Sequence, residues 1–359
     1  MLDLAYRLAK PLLFRLDAET VHERVMAGLA LASRSPRLLS LLSPLDDDPR
    51  LTVEAGGFQL RHPGGVAAGL DKNGVAIPAL YALGFSHVEV GTITPLPQTG
   101  NSRPRVFRLV EDAGLVNRMG FPGLGLDAIE RNLRRHLAAG CAVGCNIGPN
   151  RASVESGRAG NDLALLSRRL SPVAAYLAVN VSSPNTARLR ELQGARALRA
   201  LLSEVLAAQP DDARPPVLVK IAPDLSEREL DEVVSTAQDV GIAGIIATNT
   251  TLARPSSLRS RHRAETGGLS GRPLREQSLD VVRHLARRSD GGLAIVAVGG
   301  IANGRDVVAA VAAGATLAQV YTAFVYRGPG MPGSLRREML DELDRRGFAS
   351  MAALRGTAV

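Results

Sequence analysis

The sequence contains no tryptophan, and aromatic residues make up only 3% of it. A protein that binds single-stranded nucleic acid by base stacking needs aromatic platforms, which this chain can hardly supply. Its only cysteines, Cys141 and Cys145, have a spacing that suits neither a zinc site nor a redox dithiol. Both fall in or beside an apolar run, so buried structural thiols in a reducing compartment are expected. No apolar run reaches the roughly 18–20 residues of a spanning helix. The first residues also lack the basic, apolar, small-residue order of a secretory signal. Any meeting with a membrane is therefore expected along its surface. There is no repeat at a fixed period and no low-complexity tract.

What is present bounds the fold. At 359 residues and 45% hydrophobic, the chain can build one large α/β barrel or two ordinary domains. Lys and Arg number 43 against 35 Asp and Glu, a net charge of +8. There is no dense basic stripe with interleaved aromatics, so nucleic acid is not the expected partner. An anionic ligand or an anionic membrane surface explains the charge, as does a general arginine bias.

Eight short apolar, β-branched runs punctuate the chain, at 66–70, 87–92, 142–147, 176–181, 217–221, 244–248, 293–298 and 317–321. Near-continuous apolar runs suit strands covered on both faces, as in parallel sheets. Amphipathic stretches at 126–139, 195–209, 227–240 and 273–288 lie between them, and a further helix is expected from Gly304 after Asn303. Ser226 with Glu229 three residues on has capping-box spacing. Even alternation predicts a closed (β/α)8 barrel, with a doubly wound open sheet as the alternative. Residues 1–45 stand outside this rhythm. Two apolar-rich helices, 2–16 and 19–32, are expected there, with Asp17 and Thr20 at the break, a linker at 43–50, and the barrel over 46–359. A small strand pair is expected within 50–60, and a long loop over 94–121.

In such barrels reactive groups sit where strands end. Here the strand ends read GLDKN, GTITP, NIGPN, NVSSPN, KIAPD, ATNTT, VGGI and YTAF. Turn formation alone does not require so many Lys, Asn, Ser and Thr residues. Lys220, between Val219 and Ile221, is expected to point into the barrel and to need an anionic partner. Schiff-base chemistry, support of an anionic cofactor ring and an ion pair with Asp224 all remain open. The VGGI turn ahead of a helix start, with YTAF and the TGGLSG loop, suits phosphate binding. Asn117, Asn146, Asn180, Asn185 and Asn249 can both donate and accept, which suits a planar ring of alternating C=O and N–H. No His–Asp pair accompanies Ser182 and Ser183, so a hydrolase triad is not expected.

AAGLDKN, EVGTITPLPQTGNSRPRVFRL, NRMGF, NVSSPNT, VKIAPDLS, ATNTT, TGGLSGRPL and VGGI together resemble the dihydroorotate dehydrogenases, in order from about Gly65 to Pro329. The N-terminal helices and the serine of NVSSPNT resemble the membrane-associated, quinone-dependent class; neither cysteine stands where the soluble class has its base. The resemblance implies FMN, dihydroorotate and a membrane quinone. By position, Ala68, Gly69, Leu70, Asp71, Lys72, Thr92, Asn146, Asn180, Lys220, Thr248, Gly271, Gly300, Tyr321 and Thr322 would bind FMN. Lys72, Asn117, Arg118, Met119, Gly120, Phe121, Asn180, Asn185, Asn249 and Thr250 would hold the substrate. Ser183 would be the catalytic base, relayed through Thr186 and a water. His22 and Arg108 would line the quinone site. No metal is expected. A monomer, peripheral on the cytoplasmic face of the cell membrane, is expected, its N-terminal segment delivering quinone without entering the first half-reaction.

The chain departs from the pattern at Pro149, where a lysine is expected and Arg151 is the nearest substitute. Thr322 stands where some members have serine, and HPGG at 62–65 is unusual. Other flavin barrels such as dihydrouridine synthases would bring an RNA-binding module, and dihydropyrimidine dehydrogenases would bring iron–sulfur cysteines. A lysine aldolase would use Lys220 without flavin, and a membrane scaffold would need no cofactor.

Overall fold

The computed structural model describes residues 2–42, 47–55, 58–137 and 140–359. The eight barrel strands are β1 (Gly64–Val66), β2 (His87–Ile93), β3 (Ala142–Ile147), β4 (Tyr176–Asn180), β5 (Val217–Ile221), β6 (Gly244–Ala247), β7 (Ala294–Val298) and β8 (Leu317–Val320). They pair in parallel in sequence order, and β8 closes on β1. Strand faces that look outward pack against helices, so Val88, Cys145, Val179, Ile221 and Ile295 are all buried in one continuous core. This is the (β/α)8 barrel that the evenly spaced apolar runs predict.

The helix signals hold closely. Glu227–Val240 opens on the Ser226–Glu229 capping box and ends on Gly241 in the left-handed region. Gly304–Ala312 starts at Asn303, whose side chain accepts from Asp306 N–H. Asp17 caps the second N-terminal helix by accepting from Thr20 N–H.

The first strand ends earlier than residues 66–70 suggest. Beyond Val66 the chain is turned out of the sheet at Gly69, with φ 95°. The buried Asp71 carboxylate then gathers the N–H groups of Asn73, Val75 and Ala76 at 2.8–3.3 Å. An Asx-type turn competes here with the ladder and wins.

The stretch 94–121 is not one long loop. Val106–Leu109 and Gly114–Asn117 form an antiparallel hairpin, and Gly268–Gly271 from the loop after β6 adds a third strand. This small sheet lies over the carboxyl end of the barrel. At the other end, Val53–Ala55 pairs with Phe58–Leu60, as expected.

The N-terminal segment has three helices where two were expected: α1 (Leu2–Leu13), α2 (Ala18–Ala32) and α3 (Pro36–Leu42). Part of the expected 43–50 linker lies outside the described residues. The α1–α2 pair is tied to the barrel side by Arg105 on Glu19, by Arg108 on Leu16 O and by the edge-to-face pair of Phe14 and Tyr326. Along α1, Leu4, Leu8 and Leu12 remain 65–75% exposed on one face. Among the described residues, no helix is long and apolar enough to cross a membrane.

Candidate active site

A cavity of about 1170 Å³, counting its open mouth, lies at the carboxyl end of the barrel under the three-stranded sheet. Parallel strands all present their carboxyl ends here, which is why residues far apart in sequence meet. Lys72, Thr92, Asn180, Lys220, Thr248, Gly300 and Tyr321 come from the barrel strands or the turns just after them, and all line it. So do Ala68, Gly69, Gly271 and Thr322. The hairpin and its following loop contribute Asn117, Met119, Gly120 and Phe121, while Ser183, Asn185, Asn249 and Thr250 complete the wall.

The carboxamides form two hydrogen-bonded groups, Asn146 with Asn180 and Asn249, and Asn117 with Asn185. Asn180 donates to Thr92 Oγ1 at 2.9 Å and to Asn146 Oδ1 at 3.1 Å. Asn249 donates to Ser182 Oγ at 3.0 Å and Asn185 to Asn117 Oδ1 at 3.2 Å. Ser183 is 5% exposed, and its Oγ accepts from Asn185 N–H at 3.3 Å. Amides held by one another keep fixed orientations, so their free edges are preorganised for a ligand.

Four expected contacts lie elsewhere. Leu70 and Asp71 sit behind the wall, Asp71 as the turn acceptor described above. Asn146 is fully buried beneath it, donating to Glu89 Oε1 at 2.8 Å. Arg118 turns away to Glu265 at 2.8 Å and to Pro104 O at 3.0 Å. Arg151 does not replace the missing lysine of NIGPN: it is exposed and donates to Asn101 Oδ1.

The partner of Lys220 is not Asp224, which pairs with Arg190 at 2.8 Å. It is Glu89, 3.4 Å away and fully buried. Glu89 also accepts from Tyr176 Oη at 2.9 Å and Gln319 Nε2 at 2.8 Å. Burial pushes the Glu89 carboxyl up, but the Lys220 charge and these donors outweigh it and hold it below the usual range. The signal for Glu89 was a carboxylate in the middle of an apolar strand; the signal for Gln319 was weaker. The roof residues Val106 and Leu115 fall in the 94–121 stretch and Ser270 in the TGGLSG segment, both of which read as loop.

His22 and Arg108 do not line this cavity. His22 lies against Lys72, its Nε2 3.0 Å from Lys72 Nζ. Desolvation pulls the Lys72 ammonium down to about 8. Burial, with Lys72 beside it, pulls His22 down to about 3. Arg108 stacks over Phe14, 4.8 Å from the ring centre, and its Nε is buried without a hydrogen-bond partner among the described residues. Among the described residues there is no His, Cys, Asp and Glu cluster that could hold a metal ion.

The family model for dihydroorotate dehydrogenase matches residues 50–343. The chain belongs to the dihydroorotate dehydrogenase family. It is 43% identical to the dihydroorotate dehydrogenase (quinone) of Rhodospirillum rubrum, over 97% of this chain and 93% of that one. It is 44% identical to the mitochondrial dihydroorotate dehydrogenase (quinone) of Mus musculus, over 93% and 85%. A crystal structure of the Eimeria tenella enzyme in complex with ferulenol superposes with a TM-score of 0.88 at 37% identity, covering 95% of both chains. The match to the Rhodospirillum rubrum protein covers 97% of this chain, so most of the N-terminal segment falls within it.

Proposed function

We propose that this chain oxidises dihydroorotate to orotate, a step of de novo pyrimidine synthesis, with FMN as its redox group and a quinone as final acceptor. The observation that carries this reading is a single cavity where Ser183, the carboxamides of Asn117, Asn180, Asn185 and Asn249, and the ammonium groups of Lys72 and Lys220 converge.

The cavity wall fits a phosphate-bearing flavin. Gly299 and Gly300 have φ of 127° and 72°, and a Cβ on Gly300 would stand 2.3 Å from Arg275 Cα. Only backbone fits there, close to the start of the helix Gly304–Ala312, and bare backbone near a helix N-terminus favours phosphate oxygens. Ala68, Gly69, Thr92, Asn180, Lys220, Thr248, Gly271, Gly300, Tyr321 and Thr322 would hold the flavin, with Leu70, Asp71 and Asn146 shaping its bed from behind. When bound, FMN supplies the acceptor for the hydride that leaves C6 of dihydroorotate.

The chain's own groups do the rest. Lys72 meets the substrate carboxylate, while the amides of Asn117, Asn185 and Asn249 read the ring edges. Met119, Gly120, Phe121 and Thr250 close around it, and Arg118 braces the loop from outside. Ser183 Oγ takes the proton from C5. Its accepted bond from Asn185 N–H leaves its own proton to pass on, and the buried Thr186 with a water forms the relay. Lys220, balanced by Glu89, places positive charge at the cavity floor and is not a free amine suited to a Schiff base.

On the acceptor side, Arg108 and His22 frame the quinone passage between α1, α2 and the barrel. The unpartnered Arg108 Nε offers a donor to a quinone carbonyl. The exposed Leu4, Leu8 and Leu12, flanked by Arg7, Lys10 and Arg15, suit a helix lying in the membrane interface. Residues 1–45 then act as the membrane and quinone-access segment and 46–359 as the catalytic barrel, in a monomer peripheral to the cytoplasmic face of the cell membrane.

The test is flavin content with orotate binding. One FMN per chain, with a visible spectrum perturbed by orotate, is the expected result. A colourless folded protein, or a flavin spectrum indifferent to orotate, would refute the reading.

A further inference from the structure

α2 lies beside the active site and makes two contacts there, one of them with Lys72 of the cavity wall. Glu19 accepts from Arg105 Nε and Nη2 at 2.7–3.0 Å, with both side chains 6% exposed. Arg105 in turn donates to Thr99 O and Asn101 O, within the segment that leads to the roof hairpin. This pair fixes α2 against the barrel mouth. One turn further along, His22 reaches Lys72, and among the described residues it is the only hydrogen-bond partner of that lysine.

The chemistry of the contact is one-directional. An ammonium has no lone pair, so Lys72 donates and His22 Nε2 accepts, which requires a neutral ring with its proton on Nδ1. Glu19, Glu23, Asp71 and Arg105 are the charged groups that act on Lys72. None of the four hydrogen bonds to it, so none directs its N–H vectors. His22 does. With one N–H committed to His22, the ammonium has two left for an anionic ligand in the cavity.

We infer that His22 is a positioning residue for Lys72, so that α2 serves the dihydroorotate side of the site as well as the acceptor side. The inference rests on the proposed reading in which Lys72 meets the substrate carboxylate. It revises the expectation that the N-terminal segment takes no part in the first half-reaction. Removing the acceptor frees the ammonium to rotate away from its productive direction. A hydrogen bond to a charged group carries enough energy that its loss weakens binding roughly tenfold to a hundredfold.

The test uses the full-length, flavin-loaded protein without quinone, so that any effect must arise on the substrate side. Orotate affinity is measured by calorimetry for wild type, His22→Phe, His22→Leu and His22→Gln, with flavin content and thermal stability as checks on folding. Anaerobic flavin reduction by dihydroorotate gives the half-saturation concentration and the limiting rate for each. His22→Phe and His22→Leu should bind orotate at least about tenfold more weakly and raise the half-saturation concentration, with a smaller change in limiting rate. His22→Gln, whose amide oxygen can accept from Lys72, should recover most of the affinity. Unchanged orotate binding in both apolar variants would overturn the inference, and so would equal weakening in His22→Gln. If wild type itself fails to bind orotate, the substrate reading has failed, a result distinct from either.

Discussion

Three histidines are built to stay neutral, and this should make the fold sensitive to mild acid. His62 Nε2 donates to Gly84 O at 2.8 Å while its Nδ1 accepts from Gly64 N–H at 3.1 Å, so a second ring proton would break the latter bond. Ser86 gives its own proton to Gly64 O, so His87 Nδ1 must donate to Ser86 Oγ. That leaves His87 Nε2 in a largely apolar chamber with no hydrogen-bond partner among the described residues. His22 Nε2 is committed to Lys72. Burial is the leading cause in each, pulling His22 and His62 down to about 3 and His87 to about 4. Because the folded values lie below the unfolded 6.5, the unfolded chain takes up the protons. The stabilisation is present above pH 6.5 and is lost as pH falls toward 4. From pH 7 to pH 5 each histidine costs about 2 kcal/mol, hence about 4 for His62 and His87 together and nearer 6 with His22. These figures depend little on where below 4 the folded values lie. Stopping at pH 5 keeps most carboxylates ionised in both states. Urea unfolding at the two pH values measures the loss, and His87→Gln should flatten the pH slope by about a third. A stability change below about 1 kcal/mol would refute the reasoning.

Other perturbations separate the remaining roles. Ser183→Ala should keep FMN and bind orotate, yet slow anaerobic flavin reduction by a factor on the order of 10² to 10⁴ in stopped flow; near-normal reduction would remove Ser183 from its role. Glu89→Gln leaves Lys220 buried without its counter-charge, and thermal unfolding should show a loss of about 3–5 kcal/mol; a neutral effect would mean that the pair is not formed. Replacing Leu4, Leu8 and Leu12 together by serine should weaken flotation with anionic liposomes and activity with long-chain quinone, with orotate affinity unchanged. Unaltered liposome binding would place the membrane contact elsewhere.

The barrel was legible because its signal is repeated: eight apolar runs each followed by a polar turn admit few architectures. Ser183, Asn185 and Asn249 could be singled out for the same reason, since strand ends in a parallel barrel point one way. What escaped depends on contacts between distant segments. The roof sheet needs Gly268–Gly271 to join a hairpin about 150 residues earlier, and no local pattern announces that pairing. Sequence proximity points from Lys220 to Asp224 and not to Glu89, because β2 and β5 face each other only across the closed barrel. Arg118 and Arg151 carry the right charge at the right strand ends, yet local acceptors, Glu265 and Asn101, draw both outward. HPGG, unusual as a motif, has a packing explanation: a Cβ at Gly65 would stand 2.2 Å from the His87 ring.

The most direct test of the whole account is an anaerobic titration of the purified full-length protein with dihydroorotate, followed by addition of quinone. The flavin absorbance should bleach to completion with one equivalent of dihydroorotate per flavin and release orotate, and quinone should restore the colour while fumarate does not. A flavin that dihydroorotate fails to bleach, or a bleached flavin that only fumarate reoxidises, would contradict the assignment.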